Sequence, residues 1–566
     1  MIRFRFIPGL ALAVLGLLAG CAQPPQKPEP FSVIEASFQD MQMAMAQGRV
    51  TSREIVQQYL DRIARYEALL NPALAINPNA LAEAGRLDAE RAAGKVRGPL
   101  HGIPIALKDN IHTTDMPTTG GALAFEGYVP PYEATLVSQL HEAGAIILAK
   151  TTLTELANWV ATGMPNNYNA VAGYAYNPYD PRPDPRPGFD DGRGVMDTGG
   201  SSSGIGTSAN LWAANVGTET SGSIQGPANN TMLAAIKPTV GRISRHGIIP
   251  ITADQDTAGP MAKFVADAAA LLAAMEGVDP EDPATGICEP PADGDYASYL
   301  KKDGLYGARI GIPAAFFYEP VTPPGAKESI GGLSATEAAA MREAISVLRA
   351  QGAIVVEPAN IPSVIAADPE DNQLLFGNCY DYPQGKGGDA NCSVILKYGM
   401  KRDFNKWLDS LGDTAPVESL TGLREFNLAN RDRNAIRYGQ AELDISDEMN
   451  VDADRARWRA DRDKDIRLSR SDGIDAALRQ YDLDALFFPS WHSENILNKA
   501  GYPAVMLPFA KVPDTLDPPL PAGFDPEPIP FGVSFVGTAC SEPRLIGFAY
   551  AFEQATRGRV PPPTTP

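Results

Sequence analysis

The sequence predicts an α/β fold, and three observations carry that reading. Residues 103–107 and 145–150 are short apolar runs of buried-strand type, and an amphipathic stretch, 134–142, lies between them. The same rhythm returns near the C-terminus, where apolar runs at 484–488, 504–508 and 531–537 lead into a helical pattern at 542–557. Finally, 566 residues with 44% hydrophobic content can bury a large core, and no linker after residue 33 divides the chain.

The elements follow in order. Arg3 and Arg5 precede an apolar run, 6–20, that falls short of the about 20 residues needed to span a bilayer. The run ends in Leu18-Ala19-Gly20-Cys21, so residues 1–21 read as a secretory signal. A cysteine directly after Leu-Ala-Gly resembles the bacterial lipobox, which implies that Cys21 is lipidated and that the protein is exported to the cell envelope. Ala22 resembles the residue found in lipoproteins sent to the outer membrane. Residues 22–33 are a Pro-rich tether, and 34–566 form the functional domain.

Residues 34–67 are helical, with a break at Gln47-Gly48-Arg49. Thr51, Ser52 and Glu54 form a capping pattern, and Ile55, Tyr59 and Ile63 share one face of the helix that follows. Another helix covers 81–94. The strand at 103–109 ends in Lys108-Asp109. Residues 179–198 are a Pro/Gly/Asp loop, and 262–276 and 336–351 are helices. Segment 370–470 is more polar and helical, and is expected to cover the site and shape specificity.

Sixty-eight acidic residues against 48 basic ones give a net charge of −20, and no basic run is present, which argues against a nucleic-acid partner. No Cys/His spacing resembles a metal site. Cys379 and Cys392 flank a Gly-rich loop and are the candidate disulfide pair, since an exported chain can form one.

Chemistry concentrates in residues 199–227, GGSSSGIGTSANLWAANVGTETSGSIQGP. Two Gly-flanked turns present Ser201, Ser202, Ser203 and the isolated Ser223, with a small-residue segment between them that reads as a helix. Glycine lets backbone N–H groups converge on an anion, so hydroxyls beside such turns suggest a nucleophile with an oxyanion hole. Three bases compete. Gly200 to Gly204 formally matches a nucleophile elbow centred on Ser202, with Asp482, Asp484 and His492 downstream in the required order, but no strand pattern precedes it. Ser298 and Lys301 match Ser-x-x-Lys without the Lys-Thr-Gly that should follow. Lys108, ending an apolar strand, would be desolvated, and a neutral amine can accept a serine proton.

The ordered set HGIPIALKDNI, GGSSSG, GTETSGSIQGPA, IKPTVGRISRHGIIP and QDTAGPMAKFVAD resembles the amidase signature family. TSREIVQQYLDRI, AGAIILAKTTLTELANW, AGYPAVMLP, PFGVSFVG and EPRLIGFAYAFEQAT extend the resemblance over residues 34–557, most weakly in 290–480. The motif style is closest to peptide-amidase-like members. The resemblance implies a central mixed sheet between helical layers and a Ser–cis-Ser–Lys triad that cleaves a carboxamide through an acyl-enzyme. It makes Ser223 the nucleophile, Lys108 the general base, and Ser201 the relay, expected to follow a cis peptide bond. Ser202 would support the network, and the backbone N–H groups of Thr220, Ser221 and Gly222 would hold the oxyanion. It also implies no metal or organic cofactor, a small-molecule or peptide amide as partner, and membrane contact through the lipid anchor only. Three departures stand out. Ser221 replaces a usual glycine, Glu219 replaces a usual aspartate, and the Ser201–Ser223 interval is two residues shorter than usual. The competing readings are a catalytically silent envelope binding protein on the same scaffold, which the intact Lys/Ser/Ser set opposes, and the Ser202 hydrolase.

Overall fold

The computed structural model describes Met1 and residues 30–292, 294–380 and 389–566. Cys21, the signal segment and most of the tether lie outside the described residues.

Eleven strands form one mixed sheet. In chain order they are β1 (Ala73–Ile76), β2 (Pro104–Lys108), β3 (Ile146–Thr151), β4 (Ala214–Glu219), β5 (Ala234–Lys237), β6 (Thr257–Ala262), β7 (Arg309–Gly311), β8 (Ile354–Val356), β9 (Ala485–Pro489), β10 (Ala504–Val512) and β11 (Ile529–Val536). Across the sheet the order is β1-β3-β2-β4-β6-β5-β10-β11-β9-β7-β8. Every residue of β2, β3, β4, β5, β6 and β9 is buried, which requires cover on both faces and explains their unbroken apolar or small-residue runs.

The helix Thr135–Glu142 carries the crossover from β2 to its parallel neighbour β3, as the rhythm of the sequence anticipates. On its other side β2 pairs in parallel with β4, with Leu107 opposite Val216. Their parallel course brings the C-terminal ends of β2 and β4 to the same edge of the sheet. Lys108 ends one strand and Glu219 the other, so this edge is where a site can form.

Helices cover the sheet through apolar faces. Thr51 and Glu54 form the expected capping box, and Ile55, Tyr59 and Ile63 of the helix Ser52–Leu70 enter the main core. The helices Val265–Ala273 and Glu542–Thr556 join the same core. A second cluster, containing Phe125, Trp159, Phe404, Trp407 and Leu443, packs the helical segment 395–447 against loops that follow β2 and β3.

The stretch between the two serine turns departs from expectation. Only Ile205–Ser208 is helical, and β4 follows directly. A Cβ on Gly206 would lie 1.9 Å from the Trp212 ring, and Asn210 takes a left-handed φ of 56°. The chain therefore turns back after a single turn and has room to start a strand. The expected helix at 262–276 likewise begins at Val265, because Ala262 completes β6. Loop 179–198 is held by three local clasps, Asp180–Arg182, Asp184–Arg186 and Asp191–Arg193. Cys379 is joined to Cys392, and Cys288 to Cys540, a pairing across 252 residues of sequence that the spacing did not suggest.

Candidate active site

Lys108 is completely buried at the end of β2. Its Nζ lies 2.8 Å from Ser201 Oγ, within hydrogen-bond reach, and donates to Thr218 Oγ1 at 2.9 Å and to the Thr218 carbonyl at 3.3 Å. Burial lowers its pKa from 10.5 to about 7, against the pull of the Asp256 and Glu219 carboxyls, which raise it. A lysine at that value is available as an amine near neutral pH.

The serine turns meet through the backbone. Ser202 N–H donates to the Ser223 carbonyl at 3.2 Å, and Thr154 N–H to the Ser201 carbonyl at 3.2 Å. Gly199 and Gly226 bring the two turns into contact, since a Cβ on Gly199 would fall 2.2 Å from the Gly226 oxygen. Ser202 Oγ donates to the Thr218 carbonyl at 3.0 Å and accepts from the Thr218 N–H at 3.2 Å. That hydroxyl clamps the first turn to β4. The peptide bond before Ser201 is trans, because the cis bonds of the described residues are Glu357–Pro358 and Asp517–Pro518. The cis expectation is therefore corrected. A cis bond outside proline costs several kcal/mol, and Gly199, with φ of 89°, supplies a reversal just before the serines.

Ser223 follows Gly222, whose φ of 80° takes the sharp turn. Ser221 is not among the residues of positive φ, so a side chain is accommodated at this position despite the usual glycine. Glu219 fixes the far side of the turn. Its Oε2 accepts from the Ile224 and Gln225 N–H groups at 2.8 and 3.0 Å, and its Oε1 from Gln225 Nε2 at 2.7 Å. Among the described residues the N–H groups of Thr220, Ser221, Gly222 and Ser223 have no such acceptor. The Ser223 hydroxyl also forms no hydrogen bond among them, to Ser201 or to any other group, so the geometry joins Lys108 to Ser201 and brings Ser223 alongside.

Three contributing residues were not singled out from sequence. Thr218 accepts from both Lys108 and Asn110, whose Nδ2 lies 3.1 Å from Thr218 Oγ1. Thr220 Oγ1 donates to Asp256 Oδ1 at 2.5 Å, and Asp256 Oδ2 accepts from the Ile251 and Thr252 N–H groups. Reading β4 as part of a helix hid Thr218. Asn110 and Asp256 stood in quoted motifs without a role.

The elbow constellation is not assembled. Ser202 is committed to Thr218, His492 lies beside Phe316 and Phe317, and Asp482 and Asp484 bind Arg309.

With this geometry in place, the family model "Amidase" matches residues 54–546. The chain belongs to the amidase family. A probable amidase of Arabidopsis thaliana is 32% identical over 94% of this chain and 92% of its own. The peptide amidase of Stenotrophomonas maltophilia, a solved structure, is 35% identical, with a TM-score of 0.76 over 94% of this chain and 99% of the other. An amidase family protein from Bacillus anthracis is 30% identical, with a TM-score of 0.77 over 94% and 92%. This amidase thus has the amidase signature fold, and it is a hydrolase of that family.

Proposed function

We propose that this amidase cleaves the C–N bond of a carboxamide through an acyl-enzyme on Ser223, with Ser201 as relay and Lys108 as general base. The observation that carries the reading is the bonding of Lys108. A neutral lysine has two N–H groups and one lone pair. Thr218 O and Oγ1 can take the two hydrogens, which leaves the lone pair toward Ser201 Oγ at 2.8 Å.

In this reading Lys108 accepts the Ser201 proton as Ser201 accepts that of Ser223, whose hydroxyl turns toward it in the substrate complex. Ser223 Oγ then attacks the carbonyl carbon. The oxyanion meets the uncommitted N–H groups of Thr220, Ser221 and Gly222. Protonated Lys108 returns its proton through Ser201 to the leaving nitrogen, and water hydrolyses the ester by the same route in reverse. The substrate is a peptide amide or an aryl or alkyl amide, and the name of the Stenotrophomonas maltophilia neighbour favours the first. No step calls for a metal or organic cofactor. Ser223→Ala is the decisive variant: it should abolish amide hydrolysis and any trapped acyl-enzyme, and substantial residual turnover would remove Ser223 from the role.

The N-terminal pattern supports a second proposal, that the protein is exported and anchored in the envelope through lipid on Cys21. Cells fed labelled palmitate should label the wild type and not Cys21→Ser; equal labelling of both would refute the anchor.

A further inference from the structure

The mechanism above leaves one carboxyl group beside Ser223 unused. Glu494 opens the helix Glu494–Ala500, which follows β9. Its Oε2 lies so close to Gly222 that a Cβ there would meet it at 2.3 Å, and the Trp491 ring would meet the same Cβ at 2.8 Å. The carboxyl thus flanks the residue immediately before the proposed nucleophile, and Glu494 keeps a minor part of its surface open to solvent.

Among the described residues Glu494 makes no ion pair and no side-chain hydrogen bond. Three cations on this helix and on the segments packed against it are committed elsewhere. Lys499 binds Asp465 and the Phe376 carbonyl, Arg462 binds the Lys499 and Asp254 carbonyls, and Arg470 binds the Ala500 carbonyl. The Trp491 ring borders the group on the Gly222 side, and the Tyr380 phenol is near enough to feel the Glu494 charge.

We propose that Glu494 anchors a positively charged group on the substrate, so that this amidase favours amides carrying an ammonium one side chain away from the scissile carbonyl. The proposal rests on Ser223 being the nucleophile. Burial first, and then the neighbouring Glu219 carboxylate, push the Glu494 carboxyl up to about 8. Left alone, the group is therefore mostly neutral at pH 7. An ammonium supplies a partner that the described residues do not, and ionised Glu494 then makes a charge-assisted hydrogen bond in partly desolvated surroundings. The Trp491 ring beside Gly222 offers a π system to the same cation. A neutral side chain that ends where the ammonium would begin gains none of this.

The test uses the full chain at pH 7 with two amides that share the four-carbon side chain and differ by the terminal ammonium, Nα-acetyl-lysinamide and Nα-acetyl-norleucinamide. The wild type should prefer the lysinamide by about tenfold or more in kcat/KM, the value of one charge-assisted hydrogen bond, with the gain expressed in KM. Glu494→Gln should erase the preference and leave norleucinamide turnover close to wild type. As a readout free of any variant, n-butylammonium should inhibit the wild type competitively at concentrations where 1-butanol does not. Absence of a wild-type preference, equal loss on both substrates in Glu494→Gln, or equal inhibition by the two additives would overturn the proposal. Ser223→Ala separates the two readings: turnover surviving in it defeats the acyl-enzyme mechanism, whereas abolished turnover with no lysinamide preference in the wild type defeats only the role of Glu494.

Discussion

Lys108 and Ser223 make the sharpest claims at the scale of single residues. Lys108→Ala should lower kcat/KM by more than about a thousandfold, because the group that accepts the serine proton is gone. His492→Ala should leave kcat/KM near wild type, since that imidazole lies among Phe316 and Phe317 and not at Ser202. The acid limb of the pH profile has a definite sign. Protonation of Lys108 removes the base, so kcat/KM should rise with pH through about 7 and then level. Asp256, itself raised to about 7 by burial, draws the Lys108 value upward when it ionises. Asp256→Asn should therefore move the acid limb to lower pH, and an unmoved limb in a folded variant would show that the two groups do not communicate.

The element that matters most is the pair of turns around β4. Gly199 and Gly226 touch backbone to backbone, so Gly199→Ala forces the turns apart as well as straining a left-handed residue. Its kcat should fall sharply while far-UV circular dichroism stays native, because the sheet does not depend on that contact. This region also shows how much the sequence could convey. Gly-Ser turns, the strand ending in Lys108 and the capping box at Thr51 are local signals, and each appears where local reasoning places it. The strand β4 is not local. ANVGTE has small and polar residues and weak strand propensity, and it is held in place by β2 and β6 on either side. The halt of the preceding helix depends on Trp212 folding back over Gly206, a contact no periodicity announces. The lysine and serines of the site were therefore legible as residue types in motifs. The threonine that orients the lysine was not, because its side chain faces the site only once that strand exists.

Across the whole molecule, the Cys288–Cys540 bridge closes a very long loop and ties the 288 region to the turn before the last helix. Its removal in Cys288→Ser should destabilise the fold by about 2–5 kcal/mol, read as a lower Tm than wild type measured without reductant. The same scale reveals a cost concealed in the active site. A lysine that titrates at about 7 when folded and at 10.5 when free binds its proton more weakly in the native state. Between those values the unfolded chain holds a proton that the folded chain has released, so this residue makes stability rise with pH across that window. At pH 7 its burial costs about 4 kcal/mol relative to an unperturbed lysine. Lys108→Met keeps most of the length of the side chain and discards the charge, so it should raise Tm at pH 7, with the advantage shrinking toward pH 10. Heat resistance and turnover would then part company at one atom: the inactive enzyme would be the hardier one, and a lineage selected only to stay folded would be expected to lose its amine first.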